Sequence, residues 1–401
     1  MKKKLVKISS LIMVAVMIFC MTACGGSSES SSTKDGKADF KKTKIAVALY
    51  EDSTDFAKGM QDYITEVGKA MNVDVTYALF SQQDEAANVA IAQQLISSGV
   101  QGIIGTMDLG TASIIKECEA AGVYYASYLC DCDASYNNAY DEVFGSDIFL
   151  GAASDGPCAD KTTLGDVYFD SLIGYNEAHS DAPLTHVSMV TFPAWAFPAQ
   201  KACAQRFVEL VDKYNETAET QIVVDPLNED VDVLQFAPLD STYFSKHADI
   251  DGIICFASGM TFVYPTMVSA GVDSSIKLFS TGFSKDTTDN FGTKGTQTIQ
   301  QETGSPIEAV AYPLVLMVNA INGVEFSDMP EKAERIDTSL LIANNDETME
   351  KMMKNIYATG NPKDAFLTPE EVVNLTAVAN PDATYANLVT TIQGLTLDMV
   401  K

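Results

Sequence analysis

The sequence predicts an α/β protein of two doubly wound parallel-sheet lobes joined by a hinge. Three observations predict it. Apolar runs of strand length alternate with stretches of helical spacing, the order that builds a parallel sheet covered by helices on both faces. The alternation runs through twice, with a second series opening near Ser146. The chain has 401 residues and is 46% apolar, enough for the cores of about two or three domains.

The elements follow in order. Lys44–Tyr50 is an apolar strand run ending in a polar turn. Phe56, Met60, Tyr63, Ile64, Val67 and Met71 recur at helical spacing. Val73–Phe80 reads as a strand, and residues 84–97 as a helix stopped by Gly99. Gly102–Gly105 is a short buried strand, and Ala112–Ala121 a helix ended by Gly122. Val123–Leu129 and Val143–Gly145 read as the fourth and fifth strands. A long helical stretch is then expected from Ser146 to about Ala178. Strands at His186–Thr191, Thr220–Val224, Gly252–Phe256, Lys277–Thr281 and Thr296–Gln300 follow, with helices at Pro198–Tyr214, Thr261–Ala270 and Pro306–Ile321. Asp232–His247 has helical character broken by Pro238. In such sheets ligands sit beyond the carboxyl ends of the strands, and two lobes facing each other there form a cleft.

The first residues predict where the protein resides. Lys2, Lys3, Lys4 and Lys7 precede an apolar run, Leu11–Met21, which is shorter than the roughly 20 residues of a membrane span. This is the layout of a secretory signal over residues 1–23. Met21-Thr22-Ala23-Cys24 resembles a bacterial lipobox, which implies cleavage before Cys24 and a lipid on it. Residues 24–42 are rich in Ser, Gly and Lys and read as a flexible tether. Losing the signal takes four lysines, so 26 basic residues become 22 against 54 acidic ones and the net charge of −28 becomes −32. Such a surface does not suit nucleic acid or anionic lipid. Arginine is scarce: Arg206 and Arg335 are the only two, which argues against a ligand gripped by several guanidinium forks. Of the six body cysteines, Cys118, Cys203 and Cys255 sit in apolar patterns as buried thiols, while Cys130 or Cys132 could pair with Cys158.

These features bear a family resemblance. Lys44–Tyr50 opening the first strand, Gly99-Val100-Gln101-Gly102-Ile103-Ile104 before the third, Ala121-Gly122-Val123 before the fourth, and Phe144-Gly145-Ser146-Asp147 at a crossover resemble type I periplasmic sugar-binding proteins of ABC importers, similar in plan to ribose- and galactose-binding proteins. The match covers roughly residues 43–325. It implies lobes built from discontinuous segments, with further crossovers near Gln301 and Glu325. Lobe one is then 43–146 with 302–325, and lobe two 147–301 with 326–401, the last part resembling the C-terminal extension of some such lipoproteins.

Motifs for catalysis are missing. There is no G-x-G-x-x-G, P-loop, G-x-S-x-G or H-E-x-x-H, and the three histidines His179, His186 and His247 are scattered. Acid pairs such as Asp230 and Asp232 read as a solvated face. Asp131, Asp133, Ser135, Asn137 and Glu142 have the spacing of a calcium loop, but Tyr136 stands where the sharp turn wants glycine, so an ordinary polar loop is expected. The expectation is a binder without cofactor, metal or catalytic group.

Candidate ligand residues come from strand ends. Asp55 and Phe56 follow the first strand, where the family offers an aromatic and a polar side chain; alternatively Asp52, Ser53 or Thr54 only caps the helix. After the fourth strand the family often has an Asp-Arg pair. Here Leu129-Cys130 stands there and Asp131 follows. Trp195 and Phe197 lie on a strand-to-helix loop, free to stack on a ring or to pack on the helix. Lys201 falls where the family often has arginine, Ser258 where it commonly has asparagine, Ser284 where it commonly has aspartate, and Gln301 matches a family glutamine. The expected ligand is a sugar or sugar-like compound, with a nucleoside or aromatic metabolite as alternative. The expected partners are that ligand, an ABC permease and the membrane through the lipid anchor, with the protein a monomer on the outer face of the cell membrane. A sensor for a membrane receptor, or an enzyme on the same fold, are the other readings.

Overall fold

The fold is read from a computed structural model, which describes residues 39–130, 132, 139–154, 163–194, 197–282, 285–357 and 365–400. The expected signal, Cys24 and the tether as far as residue 38, with Asp131, Cys158, Trp195 and Ser284, lie outside the described residues; the last four residues assigned to the tether are instead held to the fold, with Phe40 buried and Lys41 donating to Asn322.

The first lobe starts from strand β1 (Thr43–Leu49), helix α1 (Asp55–Ala70), β2 (Val73–Leu79), α2 (Glu85–Ser97), β3 (Gly102–Gly105), α3 (Thr111–Ala121), β4 (Tyr124–Tyr128), the short α4 (Ala139–Val143) and β5 (Phe149–Ala153). The second lobe follows with α5 (Thr163–Ala178), β6 (His186–Val190), α6 (Pro198–Asn215), β7 (Val223–Val224), α7 (Thr242–Lys246), β8 (Gly252–Ser258), α8 (Gly259–Phe262), α9 (Tyr264–Ala270), β9 (Lys277–Thr281) and β10 (Ile299–Gly304). The chain then returns through α10 (Ala311–Asn322), β11 (Arg335–Ile336), β12 (Leu341–Ala343), α11 (Asp346–Tyr357), α12 (Pro369–Asn374) and α13 (Tyr385–Gln393).

Two six-stranded sheets result. The first has the order β11-β5-β4-β3-β1-β2 and is parallel throughout. The second has the order β12-β10-β9-β8-β6-β7 and is parallel except for β12, which runs antiparallel to β10. Helices cover both faces, so β1 and β8 are buried almost end to end, which is why they read as continuous apolar runs. Thr54 caps α1 by accepting from the Ala57 amide at 3.1 Å. Helix α10 follows β10 but packs on β3, β4 and β5 of the first sheet. Its nine residues from Ala311 to Asn319 are buried, and Met317 fills the space that a Cβ at Gly102 would need.

Several expectations need correcting. Val143–Gly145 is no strand: Val143 ends α4, and Phe144 packs edge-on against Phe149 of the true fifth strand, with ring centroids 5.2 Å apart. An apolar triplet is satisfied equally by a buried helix end. The stretch after Ser146 opens with β5, which pairs with β4 in the first sheet, so the first lobe reaches beyond residue 146. The last strand of the second series is Ile299–Gly304 rather than Thr296–Gln300, so Gln301 and Glu302 belong to the second sheet. Residues 326–401 do not stay with lobe two: β11 pairs in the first sheet, β12 in the second, and α12 and α13 pack on α1 and α10. Within 232–247 only Thr242–Lys246 is helical. Cys118, Cys130, Cys132 and Cys255 are free thiols, and all four are buried, as is Cys203.

Helices α5 and α6 lie close because Gly165 has no side chain: a Cβ there would sit 2.4 Å from the Cys203 carbonyl oxygen and 3.1 Å from Arg206 Cβ. Beside it Arg206 donates through Nη2 to Asp166 Oδ1 at 2.8 Å. On the far edge, Asp225 joins two imidazoles. Its carboxylate lies 2.7 Å from His186 Nε2 and 2.5 Å from His247 Nδ1, and His247 Nε2 lies 2.8 Å from buried Asp232. Burial pushes Asp225 up, but the hydrogen bonds from His186 and His247 outweigh it and hold its carboxyl below the usual range.

Two outcomes follow. Gly165→Ala forces the helices apart against backbone and lowers stability by about 1–3 kcal/mol in denaturant unfolding; an unchanged midpoint contradicts the close approach. A carboxyl depressed in the folded state stabilises above its unfolded value of about 4 and loses that contribution as pH falls through the folded value. Asp225→Asn is therefore less stable than the parent at neutral pH, and the difference shrinks in acid. A pH-independent difference contradicts the assignment.

Candidate functional site

The crossovers place the site. The chain leaves the first sheet from the carboxyl end of β5 and leaves the second from the carboxyl end of β10. The same ends of the two sheets therefore meet at the crossovers, and the strand-end loops of both lobes line what lies between.

In lobe one, Thr106 at the end of β3 accepts from the Tyr50 amide at 2.8 Å and ties two strand ends together. The loop from Glu51 to Thr54 is ordered by the Glu51 carboxylate, which accepts from the amides of Ser53 (2.9 Å) and Thr54 (3.0 Å). Thr54 takes the capping role, leaving Asp55 and Phe56 as the first two residues of α1, both half-buried. At the end of β4 the backbone is strained: Leu129 has φ 59° and Cys132 φ 43°, a left-handed conformation that costs a non-glycine residue about 1–2 kcal/mol. Cys130 between them is buried, its thiol held within 3.3 Å of the Tyr128 carbonyl and pushed well up by burial, so it is inert rather than nucleophilic. Cys132 Sγ donates to Asp108 at 3.2 Å.

In lobe two, Thr191 extends β6 and bridges to Val233. Four phenylalanines gather beyond it. Phe192 lies 5.0 Å from Phe197, 5.0 Å from Phe236 in a stacked arrangement, and 5.3 Å from Phe262 edge-on. Phe197 remains 37% exposed just before α6, and Phe236 adopts φ 57° to reach the stack. Lys201 is drawn off to the surface, where it pairs with Glu229 at 3.2 Å. Ser258 ends β8, donates to Thr261 at 3.3 Å, and stands against Gly282 at the end of β9, where a Cβ would meet its Oγ at 2.9 Å.

Gln301 is wholly buried on β10, and both its amide atoms lack a hydrogen-bond partner among the described residues. The same is true of both carboxyl oxygens of Glu302, which burial pushes well above the usual carboxyl range. Buried polar groups without partners cost about 1–3 kcal/mol each and are rare in native proteins. Beside them Tyr168 of α5 donates to the Cys255 carbonyl at 3.1 Å and lies 2.8 Å from Thr281 Oγ1, joining β8 and β9.

The structure thus brings Asp55 and Phe56 to one lobe's strand ends, and Phe197 and Ser258 to the other's, while Gln301 lies inside β10, paired with Phe279 and wholly buried. Lys201 is paired with Glu229 of the loop after β7. Phe236, Phe262 and Glu302 were missed by sequence reasoning. The first two are ordinary loop and helix residues until the fold gathers them. Glu302 carried no signal either, because it stands in the polar run Gln300-Gln301-Glu302-Thr303, whose burial comes from the fold. No group of three or more His, Cys, Asp or Glu side chains suited to a metal occurs among the described residues.

No protein-family model matches this chain, and no curated protein does. Solved structures do. A sugar ABC transport substrate-binding protein from Bordetella parapertussis matches with a TM-score of 0.55 at 11% identity, over 77% of this chain and 91% of that one. A solute-binding protein from Agrobacterium vitis bound to α-D-tagatopyranose matches with a TM-score of 0.55 at 14% identity, over 77% and 96%. One from Burkholderia graminis in complex with D-arabinose matches with a TM-score of 0.55 at 14% identity, over 78% and 98%. With its two parallel-dominated sheets, its interleaved helices and its crossovers at the strand ends, this chain has the two-lobed α/β fold of type I periplasmic solute-binding proteins.

Proposed function

We propose that the protein is the substrate-binding component of a bacterial ABC importer and takes a small sugar or polyol between its lobes. The observation that carries this reading is the meeting of the two sheets' carboxyl ends at the crossovers, with Asp55 and Phe56 following β1 of lobe one and an aromatic cluster beyond β6 of lobe two. A sugar offers both hydroxyls for the polar groups and an apolar ring face for the aromatics. Fold neighbours in complex with tagatose and arabinose support the ligand class. The role is binding rather than turnover: the free thiols at the β4 end and in β8 are buried with their acidity suppressed, and the histidines of the Asp225 cluster are committed to carboxylates.

Within this reading Gln301 supplies hydrogen bonds to hydroxyls, Phe197 packs on the ring, and Asp55, Phe56 and Ser258 complete the contacts, with Asp131, Trp195 and Ser284 contributing from their loops. The signal and Cys24 place the protein on the outer face of the cell membrane by a lipid, as a monomer that presents its ligand to the permease. The phenylalanine cluster also favours a second class, the flat ring of a nucleoside.

A thermal-shift panel separates the two classes. A ligand at a hundred times its Kd adds about 2.7 kcal/mol, which raises the melting temperature by roughly 3–4 °C in a protein of this size. The expected result is such a rise with D-tagatose, D-allose, D-arabinose or allitol. No rise with any sugar or polyol overturns the reading, and a rise with nucleosides alone replaces it. Gln301→Met removes a buried polar group that lacks a partner among the described residues. It should leave the melting temperature unchanged or higher and weaken the responding ligand about tenfold or more. Undiminished affinity rules the amide out as a contact.

A further inference from the structure

Three crossings between lobes account for β5 to α5, β10 to α10 and β11 to β12. The chain makes a fourth. Helix α11 begins on lobe two: it packs against β12, Asp346 Oδ2 accepts from Thr293 Oγ1 at 2.7 Å, and Glu350 lies 3.8 Å from Lys294. The same helix packs against α1 of lobe one. Near its end, buried Asn355 donates through Nδ2 to Glu308 Oε2 at 3.3 Å. Glu308 sits in the helical turn Ile307–Val310 that carries the chain from β10 to α10. Its other oxygen accepts from the Phe366 amide at 3.0 Å, and the next carbonyl, of Leu367, accepts from Tyr63 of α1 at 2.9 Å.

The middle of α11 lies over the crossover itself. Met349 and Met352 are fully buried, and Met352 Cε lies 3.5 Å from where a Cβ at Gly304 would stand. Beyond it, α12 packs on α1 and α13 on α10; Asn319 accepts from the Ala377 amide at 3.0 Å and Tyr312 lies 2.9 Å from Tyr385, so the end of the chain is fixed to lobe one. A rigid helix anchored to lobe two at its start and to lobe one at its end opposes any motion that separates those anchors.

We propose that α11 is a brace across the hinge, which limits how far the lobes swing apart when no ligand is bound. The Thr293–Asp346 and Lys294–Glu350 contacts hold one end, and the Asn355–Glu308 contact holds the other. The proposal rests on the two-lobed binding reading for its purpose, but its test needs no ligand. A brace reduces the open population that a ligand must close, so affinity improves without a new ligand contact.

The test uses the unliganded full-length protein with spin-labelled residues introduced at exposed Lys116 of lobe one and Lys213 of lobe two, and measures the distance between them by pulsed electron resonance. Two variants release opposite ends: Thr293→Val with Lys294→Ala on the surface, and Asn355→Ala in the interior. Each should lengthen the mean distance and broaden the distribution relative to the parent. An unchanged distribution in the surface variant overturns the proposal, whether or not Asn355→Ala folds. A lowered melting temperature with unchanged distances also overturns it, because that is the mark of packing alone.

Discussion

Parallel strands cannot be joined by tight turns, and the rest of this structure depends on that constraint. Each strand must return through a helix along the face of its sheet, so the loops at the carboxyl ends are relieved of pairing and open to other uses. When two such sheets are built from one chain, the crossings run between those ends. Gly304 and the turn Ile307–Val310 belong to this junction, where β10 of one sheet hands over to α10 of the other. Buried Glu308 and helix α11 stand at it, Met352 against Gly304 and Asn355 against Glu308.

The free energy of the fold is distributed unevenly because of this. Away from the junction the packing is regular: β1, β8 and α10 are buried nearly throughout, and Gly165 lets α5 and α6 approach to backbone contact. Near the strand ends the chain carries costs. Leu129, Cys132 and Phe236 adopt left-handed backbone, and Gln301 and Glu302 bury polar atoms without partners among the described residues. Costs of about 1–3 kcal/mol each persist where the surroundings over-determine them, and they gather where a protein binds or switches. Asn72 before β2 and Gln297 before β10 adopt the same backbone, so strain also occurs at the opposite ends of the strands.

The repeating alternation of strand and helix was legible in the sequence because both periods are local. Most elements fall within a few residues of where the pattern puts them. Val143–Gly145 misled because an apolar triplet has no period of its own, and the packing of Phe144 on Phe149 decides its form. Lobe membership was less legible, since β11 and β12 are short and pair with strands some 180 and 40 residues earlier. Among site residues, the burial of Gln301 was not legible, since its neighbours in sequence are polar, and the pairing of Lys201 was not, because its partner Glu229 comes from a distant loop. Arginine scarcity kept its meaning: Arg206 pairs with Asp166 between helices and Arg335 with Asp337, so the sites described are built from amides, hydroxyls and rings.

The central claim is that one small ligand is held by strand-end loops of both lobes at once. Hydrogen exchange with an equimolar mixture of D-tagatose, D-allose and D-arabinose tests it most directly. The account predicts slower exchange in 50–56 of lobe one together with 191–197 and 299–304 of lobe two, with little change on the outer helices. Protection confined to a single lobe, or spread evenly over both sheets, would contradict it.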